Sequence, residues 1–441
     1  MKKAFKTVLT AALSVGLAAS LAACSSSNNS NEANNSGNGA PEVKTIKMLG
    51  HSTWFMQGMD AIIPVAKQNG FNLEIEKVPE GDDGANLMKT RFATNDKPDI
   101  LFYQNGINNT HGFGNPGDVF VDQDGQPWMD NFSKDSWKNM MDTIDDGKWY
   151  GAPYGGADMG VVIYNKRVFD ELGLSVPVNM DEFWSVAEAL KAANIAPIYF
   201  SGQDAWTTQL PVLISSASKQ GAELIPLINE NKAKLSEWTD QQVGMDFIKE
   251  ALSRGVTNEN ILSSSYDNAQ KALSSGEAGM YFMATWVMNE MVSKYPDGVA
   301  DLGSFVIPFK GNGEDMAAIW APKSMYVVKG DNQEAAQEFV NWFLQPEIQD
   351  IFFANQGGIP AIQGVTKTSL TQAELDAKNY MDKGQAIGNV PFPFLHGAQS
   401  NLPSYTQELF VEGGKSPEEV IAAMQRDMEV DAKSKGDANF Q

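Results

Sequence analysis

The stretch Gly147-Lys-Trp-Tyr-Gly-Ala-Pro-Tyr-Gly-Gly-Ala-Asp-Met-Gly-Val-Val-Ile-Tyr-Asn-Lys166 decides how the chain is organised. It opens at the Asp146-Gly147 turn and passes through a Gly/Pro-rich middle carrying Trp149, Tyr150 and Tyr154. It ends in the β-branched run Val161-Val162-Ile163-Tyr164, which reads as a buried strand. Gly155 and Gly156 lower the backbone cost of bending just before that strand, with Asp158 beside the bend. Two readings stand side by side at this point. One is a loop feeding a strand; the other is a bendable crossing that lines a closing cleft with rings and a carboxylate.

Working upstream, Thr45-Ile-Lys-Met-Leu49 reads as a strand with a turn at Gly50-His51-Ser52-Thr53-Trp54. Residues 56–68 have helical spacing, with Met59, Ile62, Ile63 and Ala66 on one face and Asn69-Gly70 as the stop. Phe71 to Ile75 alternates as a second strand. An acidic turn over 80–84 then precedes a helix carrying Leu87, Met88, Phe92 and Ala93. Pro98 to Tyr103 is a third strand, ending in Gln104-Asn105-Gly106. Strand, helix, strand, helix, strand implies a parallel sheet with right-handed crossovers, in which ligands collect beyond the C-terminal strand ends. That rule singles out His51, Trp54, Tyr103 and Asn105.

Downstream, Asn179-x-x-Glu182 is a capping box leading an apolar stripe, and Ile195 to Phe200 is a strand before a loop with Trp206. Ala272 to Met283 reads as a turn feeding a strand, with Trp286 just past it. Phe305 to Pro308 and Ser324 to Val328 are further strands, with Trp320 in the loop between them. Asp331-x-x-Glu334 is expected to cap a helix, and Ser416, Pro417 and Glu419 open the last one. Both halves are therefore expected to be α/β.

At 441 residues the chain exceeds one ordinary core, so two lobes are expected. Lys2-Lys3, the apolar run Val8 to Leu21 and Leu21-Ala22-Ala23-Cys24 resemble an exported lipoprotein leader (1–23) with its lipobox. Cys24, the single cysteine, is the expected lipidation site, and residues 24–42, rich in Ser, Asn and Gly, the expected tether. Loss of Lys2, Lys3 and Lys6 with the leader takes the formal net charge from −22 to −25. Such a charge repels nucleic acid and favours a neutral or cationic partner. A lipid-held protein with a long polar tether suits the outer surface of a Gram-positive cell membrane.

Catalytic and metal motifs are wanting. Gly112-Phe-Gly-Asn-Pro-Gly117 matches a dinucleotide fingerprint only as a string, because Pro116 and a polar approach fit a loop. There is no Gly-x-Ser-x-Gly elbow, and His51, His111 and His396 lack metal-ligand spacing. Asp118, Asp122, Asp124 and Asp130 fail the twelve-residue calcium pattern. Neither a metal nor a cofactor is expected. What stands out is Trp54, Trp206, Trp286 and Trp320 in loops at strand ends, whereas Trp184 and Trp342 fall in helices as packing residues. Aromatic faces stack on sugar rings while Asp, Asn and His fix hydroxyls, a combination suited to a neutral saccharide.

Pro98-Asp99, Gly147-Lys148-x-Tyr150-Gly-x-Pro153, Tyr164-Asn165-Lys166, Gly276-Glu-Ala-Gly-Met280 with Trp286, and Gly357-Gly-Ile-Pro360-Ala361, together with the lipobox, resemble the family 1 extracellular solute-binding proteins. These are the carbohydrate-binding subunits of ABC importers. The resemblance implies an α/β, two-lobed, class II periplasmic-binding-protein-like fold that closes on its ligand by hinge bending. Lobe one is expected over 43–154 and 309–361, and lobe two over 155–308 and 362–441. By similarity to the maltose-type members, Asp158 is a hydroxyl acceptor, while Trp286 and Trp206 lie at or near stacking positions. Tyr103 and Asn105 hold the positions after Pro-Asp. Gly106, His51 and Ser52 replace charged residues of that group, which leaves the sugar open. With Tyr154 and Trp320, the expected site is His51, Trp54, Tyr103, Asn105, Tyr154, Asp158, Trp206, Trp286 and Trp320. The implied partners are a carbohydrate and an ABC permease, the implied state a monomer, and no catalysis is expected. A glycan-active surface enzyme and a binding protein for a non-sugar solute remain the competing readings.

Overall fold

A computed structural model describes residues 43–55, 57–79, 81–134, 137, 141, 147–311, 313–388 and 401–441. The leader, Cys24, the tether, Asp146 and His396 lie outside them. Two sheets organise the described part. The first comprises β1 (Lys44–His51), β2 (Phe71–Val78), β3 (Ile100–Tyr103), β4 (Gly151–Tyr154) and β10 (Lys323–Val327), in the order β2-β1-β3-β10-β4. β1 runs parallel to β2 and β3, as the alternating pattern requires, and β10 is antiparallel to β3 and β4.

The second sheet is built on β5 (Gly156–Asn165). With β6 (Ala196–Tyr199), β7 (Ala278–Ala284), β9 (Ala317–Trp320) and β12 (Ala386–Gly388) it has the order β12-β9-β5-β7-β6. β8 (Leu302–Phe305) and β11 (Ile359–Pro360) pair with β5 from outside that path. β5 starts five residues before the β-branched run because Gly156 and Ala157 pair with Pro360 and Ile359. The two faces of β5 serve different cores. Met159, Val161 and Ile163 join a cluster continuous with the first sheet, whereas Val162 packs with Phe282, Phe305 and the helices Met180–Ala192 and Thr239–Arg254.

The sheets are joined by crossings of minimal length. Tyr154 ends β4, Gly156 begins β5, and only Gly155, at φ +78°, lies between. Ala321 and Pro322 join β9 to β10. The third crossing approaches β11 through Gly357 and Gly358, both in the left-handed region at φ +81° and +94°. The segment 309–361, expected wholly in lobe one, thus supplies β9 to the second sheet and β10 to the first.

Local expectations fare unevenly. The helix Gln57–Gln68 buries Met59, Ile62 and Ala66, and the Asn69 side chain bonds the Val65 carbonyl at its end. Asn179 accepts from the Glu182 amide at 2.9 Å, and Ser416 with Glu419 forms a reciprocal box. Trp184 stacks on Phe247 at 5.2 Å, and Trp342 packs on Phe71 and Phe339, both as core residues. Other elements differ. The acidic run over 80–84 overlaps a helix, which starts at Gly81, and Leu87 faces solvent on it. Residues Ala272 to Ser275 finish the helix Tyr266–Ser275 rather than making a turn. β8 covers Leu302–Phe305, not Phe305 to Pro308, because the register sets Phe305 opposite Val162 and Pro308 has no amide to donate. Asn332, not Asp331, precedes the helix Gln333–Phe343; its amide bonds the Thr45 carbonyl and Asp99 instead of capping.

The crossings predict a steric test. A Cβ at Gly156 would lie 2.7 Å from the Ile359 amide nitrogen and 2.9 Å from the Gly358 Cα, backbone that cannot swing aside. Gly156→Ala is expected to cost about 1–3 kcal/mol of stability in urea unfolding. Gly330→Ala, which meets open space, should stay within about 0.5 kcal/mol. Equal effects would contradict the close pairing of β5 with β11.

Candidate functional site

The first sheet delivers its share of the site at strand ends. β1 finishes at His51 and runs into the 3-10 turn Ser52–Trp54; β3 finishes at Tyr103. Trp54 meets both edge-on, His51 at 4.4 Å and Tyr103 at 5.8 Å between ring centroids. The His51 Nδ1 lies 2.6 Å from the Pro79 carbonyl, so the proton on Nδ1 holds the ring against Trp54. All three rings are largely buried.

The second sheet contributes a row of tryptophans. Trp320 ends β9 directly opposite Asp158 in the pairing of β9 with β5. Trp286 opens the helix Trp286–Lys294, and its ring lies 5.5 Å from Trp320 at 86°. Trp206, in the 3-10 turn Ala205–Gln209, lies 6.3 Å from Trp286 and 5.0 Å from Tyr266. Trp206 is 38% exposed, and Trp286 and Trp320 are half-buried. Three neighbouring rings that all keep part of their surface in water are costly unless something covers them.

Asp158 lies beside this row. Thr285 Oγ1 donates to its carboxylate at 3.2 Å, and the same oxygen accepts from the Met159 amide at 3.0 Å, which fixes Thr285 on β5. Burial pushes the Asp158 carboxyl up to about 6, against the opposing pull of the Lys323 charge and the Thr285 hydrogen bond. Lys323 is the first residue of β10, and its Nζ stands 5.4 Å above the Trp54 ring. Sequence reasoning passed over it; the signal available was its place just after the Trp320-Ala-Pro crossing. It also passed over Tyr266, whose hydroxyl donates to Glu290 and whose ring backs Trp206.

Two expected site residues are committed elsewhere. Tyr154 is buried among Phe102, Phe343 and Phe352, and its hydroxyl donates to the Trp54 carbonyl at 2.7 Å. It supports the turn that carries Trp54. Asn105 is buried where β3, β10 and the β9–β10 crossing meet; its amide bonds the Pro322 carbonyl and its oxygen accepts from Ser324 and Tyr326. It braces the crossing. Glu374 joins the same region from the other side. Its buried carboxyl accepts from the Thr371 amide and hydroxyl and from Gly358, and burial together with the Asp158 charge pushes it up to about 7.

A cavity of about 490 Å³ lies elsewhere, lined by Ile214, Val243, Ile307, Phe309 and Met316. Two of its charged groups are paired, Lys310 with Asp240 at 3.0 Å, and Asp315 accepts from the Lys310 and Gly311 amides. Asp122 and Asp124 are likewise paired, with Lys148 and Lys134. Among the described residues no group of three His, Cys, Asp or Glu side chains is placed to hold a metal ion.

Two sheets joined by short crossings, with rings and one carboxylate converging beside them, define a ligand-binding protein of the two-lobed type. The model of the bacterial extracellular solute-binding proteins matches residues 54–350, and the chain belongs to that family. The multiple sugar-binding protein of Streptococcus mutans is 24% identical over 323 residues, covering 70% of this chain and 74% of that one. The melibiose/raffinose/stachyose-binding protein MelE of Bacillus subtilis is 30% identical over 129 residues, 28% of each chain. Among solved structures, the binding protein RafE in complex with raffinose superposes with a TM-score of 0.72 at 20% identity, covering 87% of this chain and 98% of its own. A sugar transporter protein of Bacillus licheniformis in complex with stachyose superposes at 0.66, with 18% identity and coverage of 87% and 99%. These likenesses establish the two-lobed fold.

The Asp158 environment predicts a pH signature. Its carboxyl holds a proton more readily folded than unfolded, so ionising it costs stability. That cost is absent below the ordinary value of 3.8, grows as pH rises and is complete above about 6. Asp158→Asn is expected to raise Tm well above pH 6 and to change it little near pH 4. The same shift at both values would contradict a desolvated carboxylate at this position.

Proposed function

We propose that the chain is the sugar receptor of an ABC importer, held at the outer face of the cell membrane through lipid on Cys24. It binds an oligosaccharide between its lobes and presents it, unaltered, to the permease. The partly exposed rings of Trp206, Trp286 and Trp320, with the buried Asp158 carboxylate on the residue paired opposite Trp320, carry this reading. Contacts at 5.5 and 6.3 Å group three aromatic surfaces on which sugar rings can stack, and the carboxylate accepts hydrogen bonds from hydroxyls. His51 and Tyr103 flank Trp54, while Asn105 and Tyr154 belong to the frame of the site. Relatives named as sugar-binding support the ligand class, and raffinose and stachyose in the similar structures support a saccharide of several rings.

Several finer points follow from the same reading. Lobe one takes 43–154 and lobe two takes 155–308 with 362–441, while 309–361 is shared, β10 going to lobe one and β9 and β11 to lobe two. The protein acts as a monomer, on a Gram-positive surface, without cofactor or metal. Sugar touching both lobes stabilises the closed form through contacts the open form lacks, which is a population shift. A glycan-active enzyme would turn over an oligosaccharide incubated with the purified protein; recovery of the intact sugar is expected.

A thermal-shift screen across a glycan library tests the ligand class. A bound sugar at about 100 times its Kd should add about 2.7 kcal/mol, a rise of several degrees in Tm. For the sugar so found, calorimetry should show Trp286→Ala losing at least about 2 kcal/mol of binding as a central anchor. A loss below about threefold in affinity would place the site elsewhere.

A further inference from the structure

Lys323 is an unusual group to find beside a stacking surface. It begins β10 in the first sheet, opposite Tyr154, whereas Asp158 begins the second-sheet part of β5, opposite Trp320. The two residues therefore stand on opposite sides of the crossings, one anchored in each sheet. Their charges act on one another. The Lys323 ammonium nevertheless makes no hydrogen bond or ion pair among the described residues; its near neighbour is the face of Trp54. An ammonium has three donors, and a half-buried one left with only a ring face has unused hydrogen-bonding capacity. Asp158 is in the complementary position: Thr285 donates to Oδ1, and no hydrogen bond to Oδ2 is formed within the described residues.

We infer that Lys323 and Asp158 form a split charge pair that makes the cleft selective for a neutral polyhydroxylated ligand over charged ones. The inference rests on the saccharide reading above and deepens it. A neutral sugar can satisfy both groups together, one hydroxyl donating to Asp158 and a neighbouring one accepting from Lys323. A cationic ligand would gain Asp158 only by approaching Lys323, and an anionic ligand meets the reverse conflict. Discrimination by an unfavourable contact is the usual way that one affinity is separated from another. The pair also answers a difficulty raised by composition. A protein of formal net charge −22 draws cations from a distance, and a local ammonium at the site counters that bias where binding is decided.

Because Lys323 and Asp158 lie on different sheets, a hydroxyl pair bridging them ties the lobes together. Lys323 is thus a specificity-determining residue and a closure contact. Its place over Trp54 serves both roles, since the ring holds the flexible lysine stem in one region without consuming its donors.

The test is calorimetry on the full mature chain with a matched panel. The neutral probes are raffinose, stachyose, mannobiose and acetylated chitotriose; the charged probes are fully deacetylated chitotriose, which is cationic, and trigalacturonate, which is anionic. Wild type is expected to bind a neutral probe at least about tenfold tighter than either charged one. Lys323→Met should lower neutral affinity about tenfold or more and move the preference toward the cationic probe. Asp158→Asn should move it toward trigalacturonate, and Lys323→Arg should keep the wild-type order. Tm of each variant, measured beside the titrations, separates loss of selectivity from loss of folding. If Lys323→Met stays folded and its neutral-to-cationic ratio remains within about threefold of wild type, the charge pair is overturned while the saccharide reading stands. If wild type prefers a charged oligosaccharide, the charge pair is likewise overturned while the saccharide reading stands; if no saccharide of the glycan library binds, the saccharide reading fails and the inference falls with it.

Discussion

One strand holds the molecule together. β5 is hydrogen-bonded along its length to β11, β9, β7 and β8 in turn, at Gly156–Ala157, Asp158–Gly160, Gly160–Tyr164 and Val162–Asn165. One end touches the crossings between the sheets, and the other lies deep in the second sheet. Backbone pairing leaves little freedom in register once one face is buried, since a slip of one residue would turn Val162 and Asp158 to the wrong side. The absence of a Cβ at Gly156 is part of the same constraint, because the β11 backbone lies against it.

The site follows from that register. Pairing Asp158 with Trp320 brings a carboxylate and a ring to the same edge, and Thr285, locked to Met159, holds the carboxylate from the β7 side. The first sheet reaches the same place through Tyr154, whose hydroxyl carries the Trp54 turn, and through Lys323 at the start of β10. Burying Asp158 costs stability when it is ionised. A carboxylate retained in that condition, beside half-buried rings, is the arrangement expected of a binding site rather than of a core.

Much of this is legible in the sequence alone. The β1, β2 and β3 pattern, the helix caps at Asn179 and Ser416, and the bend at Gly155 follow from period, capping chemistry and backbone freedom, all local properties. The tryptophans at strand ends announced themselves for the same reason. Side-chain direction did not. Tyr154 and Asn105 stand at strand ends like the others, yet the pleat and the crossing turn them inward, where Trp54, Pro322 and Ser324 engage their polar atoms. Lys323 was hidden because its significance depends on Trp54 and Asp158, both distant in sequence. The strand expected over Phe305 to Pro308 lies instead at Leu302–Phe305, where pairing with β5 rather than local propensity sets the limits.

The central claim is that the two lobes close on a neutral sugar about the crossings at Gly155, Ala321–Pro322 and Gly357–Gly358. Small-angle X-ray scattering of the mature chain with and without the saccharide that binds tightest measures this directly. The account predicts a smaller radius of gyration at saturating sugar, with Trp286→Ala failing to contract at the same sugar concentration. An unchanged radius on saturation of the wild-type protein would contradict it.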